Sequence, residues 1–146
     1  INSDECLVGN LGSQQRFNYS VIGDGVNLAA RIEGLSKQYG VDIVLGRATA
    51  DLATDFATLP LGAVTVKGKA ESAEILALIG DPNVSSASVY HTLAPALSDV
   101  VRAVAAGEPR VALNRLNACR EAAAGIGLAA LIDHIDASIA LMPAGE

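Results

Sequence analysis

Aromatic residues make up only 3% of the chain, and tryptophan is absent. A core built from this sequence must therefore rely on Ala, Val, Leu and Ile. Cysteine is equally scarce. Cys6 and Cys119 lie far apart, and neither has a Cys or His neighbour at metal-ligand spacing. Buried, reduced thiols of a cytosolic protein are expected, rather than a disulfide or a zinc site. Positive charge is also short: 10 Lys and Arg stand against 16 Asp and Glu, for a net charge of −6. That balance excludes a general attraction to nucleic acid or to an anionic membrane, so any polyanion site has to be local. No apolar run approaches the ~20 residues of a membrane helix, and no signal peptide is visible. The opening INSDECLVGN has no initiating Met and runs at once into the apolar Cys6-Leu7-Val8, which reads as a chain that begins inside a folded domain.

What is present is globular in character. The hydrophobic fraction is 51% and the charged fraction 18%, over 146 residues. That length suits one good core, or a compact domain with an appendage. Residues 6–8 and 19–22 read as strands joined by the polar GNLGSQQRFN, a hairpin with a long loop. A helix is expected over about 26–38, with Asp24 as N-cap and Gly40 as its stop. VDIVLG reads as a strand, RATADLAT as a short helix, and LGAVTVKG and AEILALIG as two closing strands. The order is β-β-α-β-α-β-β, an α+β pattern.

The composition changes after residue 80. DPNVSSAS has the make-up of a linker, assigned to residues 81–89. Beyond it, residues 90–146 read as an α-helical extension. Leu97, Val100, Val101 and Val104 recur at helical spacing, with Pro95 suited to the first turn. A Gly107-Glu108-Pro109 break starts a second helix, and Gly125 and Gly127 separate it from a third over about 128–142. His91 and His134 are isolated and read as surface or satisfied polar residues.

The most informative stretch is FNYSVIGDGVNLAARIEGLSKQYG. On a helical wheel at about 100° per residue, Leu28, Ile32 and Leu35 share a core-facing side. Glu33 and Lys37 lie opposite at i,i+4, as a solvated ion pair. Asn27, Arg31 and Gln38 form a border stripe. Helix rims are rich in such pairs, so the spacing alone fits ordinary surface residues. It also fits a neutral amide and a guanidinium that bind a sugar and a phosphate together.

RFNYSVIGDGVNLAARIEGLSKQYG, with ECLVGNLGS before it and VTVKGKAE after it, resembles the second half of a class III nucleotidyl cyclase catalytic domain. The resemblance runs from residue 1 to about 78. It is most similar to bacterial adenylyl cyclases whose catalytic domain ends a larger sensor chain, on the cytosolic side of a membrane. It implies a ferredoxin-like βαββαβ core, here partial, over residues 1–80. It assigns Asn27 to orienting the ribose and Arg31 to stabilising charge on the α-phosphate. The first lysine of the Lys-Gly-Lys turn, Lys67, is assigned to the terminal phosphates. The base-selecting position falls on Ser20, where relatives carry Asp or, in a large bacterial group, Thr. A hydroxyl there suits an adenine reader, because Ser can donate or accept as Thr does.

The same resemblance implies ATP as substrate, Mg²⁺ or Mn²⁺ as cofactor, cyclic AMP and pyrophosphate as products, and a homodimer with shared sites. It also implies two metal-binding aspartates and a base-reading lysine in segments that precede residue 1. No replacement stands out here: Asp24 reads as a cap, and Asp51 and Asp55 lie on an exposed pattern. The chain departs from the family at Asp4, where Gly is usual. The tail AAGEPRVALNRLNACREA is faintly similar to a tetratricopeptide helix and reads more simply as a packing or dimer-supporting appendage. The resulting expectation is a fragment of an adenylate cyclase, inactive alone. The alternatives are a non-catalytic regulatory or dimerisation module, or a guanylate cyclase.

Overall fold

A computed structural model of the chain describes residues 1–13, 16–65 and 72–143. Strands β1 (Leu7–Ser13) and β2 (Arg16–Ile22) form an antiparallel hairpin, with Leu7 opposite Ile22 and Ser13 opposite Arg16. Most of the polar connection expected as a loop is therefore strand. Apolar alternation fails as a guide here because apolar residues near the base of the hairpin are exposed on both faces. Leu7 is 66% exposed and Val8, its neighbour on the other face, 50%; Tyr19 is 77% exposed. Cys6, expected to be buried, is exposed at the foot of this hairpin, while Cys119 is buried as expected. Burial pushes the Cys119 thiol above its ordinary value.

Helix α1 (Asp24–Tyr39) starts two residues earlier than the wheel suggests. Its N-cap is Gly23, without a side-chain cap, and Val26 N–H donates to the Gly23 carbonyl at 3.2 Å. Asp24 is thus the first helical residue, where its carboxylate favours the positive end of the helix dipole. At the other end Gly40 takes the left-handed conformation (φ 65°), and Val41 N–H closes on Ser36 O at 3.0 Å, as expected of a glycine stop. Glu33 and Lys37 are both exposed and do not pair. Two long, fully hydrated side chains gain too little from such a contact to hold it.

Strands β3 (Ile43–Gly46), β4 (Ala57–Thr65) and β5 (Ser72–Gly80) form an antiparallel sheet in the order β3-β5-β4, with helix α2 (Arg47–Leu52) between β3 and β4. The element order is the expected one. Among the described residues the strands form two ladders, the β1-β2 hairpin and this three-stranded sheet. The register of β4 shifts between Pro60 and Gly62, and Gly62 accommodates the irregularity at φ 102°.

Asp81 accepts from the backbone N–H groups of Asn83 and Val84 and caps the short helix α3 (Pro82–Ser85). Helices α4 (Ser88–Ala105), α5 (Pro109–Gly125) and α6 (Ala129–Ala140) follow. Pro95 is inside α4, not in its first turn. The burial of Leu93, Leu97 and Val100 on one stripe outweighs the hydrogen bond that the proline ring removes. One turn is used twice: Gly107 and Gly127 have φ of 74° and 77°, and the next residues, Glu108 and Leu128, bond back to Ala103 O and Ala123 O at 2.9 and 2.8 Å. Asp99 joins α4 to Arg115 of α5, and Arg120 of α5 reaches Asp133 and Asp136 of α6.

The larger of two buried clusters runs through most of the elements, and Leu45, Ala50 and Leu76 form the smaller one. Ile32 of α1, Leu59 and Ile75 of the sheet, and Leu97, Leu116 and Leu131 of the last three helices belong to the larger cluster. It is aliphatic apart from Cys119, as the shortage of aromatics requires. Tyr90 anchors α4 to the edge strand β4. Its hydroxyl donates to Thr58 O at 3.0 Å and accepts from Thr58 N–H at 3.2 Å.

Candidate active site

Ser20, Asn27 and Arg31 follow one another along a single strand–turn–helix unit. Ser20 is partly buried on β2, opposite Gly9 of β1. The strand ends at Ile22, Gly23 makes the turn, and α1 begins. Asn27 closes the first turn of α1 and Arg31 stands one turn further on. Four residues apart on a helix, they share a face. Both are exposed, and neither has a hydrogen-bond or ion-pair partner among the described residues. Ile32 is fully buried, with Leu28 and Leu35 packed beside it. That inner stripe fixes the rotation of α1 and so holds the amide and the guanidinium outward together.

The floor of this unit is a feature that motif reading missed. Gly25 is buried under the N-terminal segment. A Cβ there would stand 2.3 Å from Asp4 Cβ, so only glycine fits. Asn2 donates through Nδ2 to Gly25 O at 3.1 Å. Residues 2–4 therefore strap the first turn of α1, and the departure at Asp4 finds its room in the missing side chain of Gly25. The signal was the second glycine of Gly-Asp-Gly, which leaves space for a neighbour and does not merely relax a turn.

Lys67 lies outside the described residues, on the connection between β4 and β5. Asp51 is exposed and paired with Arg47 at 3.1 Å, and Arg47 also reaches Glu74 at 3.3 Å. Among the described residues no group of three or more His, Cys, Asp or Glu side chains could hold an ion. None of the helices among those residues is long and apolar enough to cross a membrane.

No family model matches the chain. Three curated proteins are similar to part of it. The chain is 32% identical over 81 residues to adenylate cyclase 1 of Rhizobium meliloti (strain 1021), covering 55% of this chain and 12% of that protein. It is 34% identical over 83 residues to the terminal-differentiation-specific adenylate cyclase of Dictyostelium discoideum, covering 54% and 4%. It is 47% identical over 45 residues to the adenylate cyclase of Anabaena cylindrica, covering 31% and 9%. About half of this chain is matched, and it spans only a small part of each relative's length. Among solved structures, the crystal structure of the adenylyl cyclase CyaB from P. aeruginosa is 30% identical with a TM-score of 0.47, covering 55% of this chain and 40% of that one.

Proposed function

We propose that this chain, about half of which is a stretch of class III nucleotidyl cyclase domain, works as part of an adenylate cyclase that closes ATP into 3′,5′-cyclic AMP and releases pyrophosphate. The observation that carries the proposal is the outward Asn27–Arg31 pair on α1, held by the Leu28, Ile32 and Leu35 stripe.

In the reaction the ribose 3′-hydroxyl loses its proton, its oxygen bonds to the α-phosphorus, and the bond to pyrophosphate breaks. The protein must hold the ribose in line and offset charge that grows on the α-phosphate. The Asn27 amide can donate to and accept from ribose oxygens. The Arg31 guanidinium supplies a fixed fork of donors for the α-phosphate. Lys67 is assigned to the terminal phosphates, and the Ser20 hydroxyl to the adenine edge.

Mg²⁺ or Mn²⁺, when bound, would neutralise phosphate charge and activate the 3′-hydroxyl. We assign its ligands to polypeptide beyond this chain, since the carboxylates described above do not converge. The bare faces of the β1-β2 hairpin support the same division: a two-stranded ribbon with apolar side chains on both faces needs further protein against it. The remainder of the cyclase domain and a second copy in a homodimer are the partners this reading assigns. The product would serve intracellular signalling on the cytoplasmic side.

Base choice is the sharpest test of the Ser20 assignment. The enzyme containing this segment should cyclise ATP in the presence of equimolar GTP, with cyclic AMP as the dominant product by chromatography. Preferential formation of cyclic GMP would overturn the adenylate reading.

A further inference from the structure

The C-terminal end of α1 borders a concave site. A cavity of about 310 Å³ lies where Tyr39 of α1, Gly62 of β4, Val100 and Val104 of α4, and His134 of α6 meet. It lies on the seam between strand β4 and helices α4 and α6. Its walls are mainly aliphatic, and no Asp, Glu, Lys or Arg lines it. Gly62 contributes a stretch of wall with no side chain, at its positive φ in the irregular part of β4.

Three polar side chains line this apolar space: Ser138, whose hydroxyl donates to the His134 carbonyl at 2.9 Å, and Tyr39 and His134. The Tyr39 and His134 rings meet edge-on, with centroids 4.5 Å apart and planes at 63°. Neither the Tyr39 hydroxyl nor a His134 ring nitrogen has a hydrogen-bond partner among the described residues. Burial pushes the Tyr39 hydroxyl above its ordinary value, so it stays a neutral phenol able to donate and accept. A cavity of this size, apolar with a few convergent polar groups, has the make-up of a small-molecule site. No Asp, Glu, Lys or Arg side chain is there to offset the desolvation of a charged ligand, which favours an uncharged one. The paired ring edges offer a third ring a place to pack.

We propose that this cavity binds a small, uncharged aromatic molecule that carries a single hydroxyl, held by Tyr39 and His134. Tyr39 is eight residues beyond Arg31, about 12 Å along the same helix. Occupancy would clamp α4 and α6 against the helix that carries Asn27 and Arg31, which makes the site a regulatory one under the cyclase reading. The binding itself does not depend on that reading and can be measured on the chain alone.

The probes are 4-propylphenol and its deoxy counterpart propylbenzene, titrated into the isotope-labelled chain and followed by amide NMR. Both should shift a contiguous set of amides around Gly62, Val104 and His134. Tyr39→Phe should weaken 4-propylphenol about three- to tenfold and leave propylbenzene unchanged. Ala105→Trp, which fills the cavity from its α4 side, should abolish both shifts. Should that variant misfold, the isosteric Tyr39→Phe still decides. Absence of saturable shifts at these amides, or a Tyr39→Phe variant that binds both probes as the parent does, would overturn the proposal.

Discussion

Arg31 and Lys67 carry the same charge but are assigned different moments of the reaction. Under the proposed reading, Arg31 would act where charge develops, on the α-phosphate, while Lys67 would hold phosphates that are charged from the start. In the enzyme containing this segment, Arg31→Ala should lower kcat by about 10²–10³ and leave KM for ATP nearly unchanged, as expected when a transition-state donor is removed. Lys67→Ala should mainly raise KM. Initial rates over a range of ATP concentrations separate the two, and near-normal turnover of Arg31→Ala would remove its assigned role. The assignment of Asn27 and Arg31 to an outward face was legible in the sequence, because Leu28, Ile32 and Leu35 leave only one way for α1 to pack. The strap of Asn2 and Asp4 over Gly25 was not, since it joins positions that no local pattern links.

The elements themselves were legible where burial has a period. The order from β1 to β5 and the glycine stop at Gly40 follow from alternation and capping chemistry. The misreadings occur where tertiary contacts override local preference. Pro95 looks like a helix start, yet α4 runs through it because Leu93 on one side and Leu97 on the other are both buried. The two strands of the β1-β2 hairpin were legible but their length was not, because their backbone ladder runs on without apolar alternation. The Tyr90 anchor is a third such case, a residue in the first turn of α4 bonded to a strand 32 positions earlier. It satisfies both backbone groups of Thr58 on edge strand β4. Tyr90→Phe should therefore destabilise the chain by about 1–3 kcal/mol in urea unfolding, with faster hydrogen exchange at the Thr58 amide. An unchanged midpoint would mean that water replaces the hydroxyl without cost.

At the scale of the whole molecule two features pull in opposite directions. Helices α4 to α6 share one core with α1 and the sheet, so the described chain has a well-packed centre. On the β1-β2 hairpin that carries Ser20, Leu7, Val8, Tyr19, Val21 and Ile22 are exposed, and among the described residues the carboxylates do not gather into a metal centre. Under the proposed reading, a stable scaffold presents part of a site that further cyclase polypeptide would finish. Two-metal chemistry on a polyphosphate needs carboxylates that bridge ions to the attacking and leaving oxygens. The net charge of −6 disfavours polyphosphate binding until metals or a complete basic pocket offset it. The direct measurement is cyclic AMP formation from Mn²⁺-ATP by the purified 146-residue chain, repeated after addition of the preceding half of the cyclase domain. The account predicts no cyclic AMP from the chain alone and cyclic AMP once the other half is present. Cyclic AMP from the chain alone would contradict it.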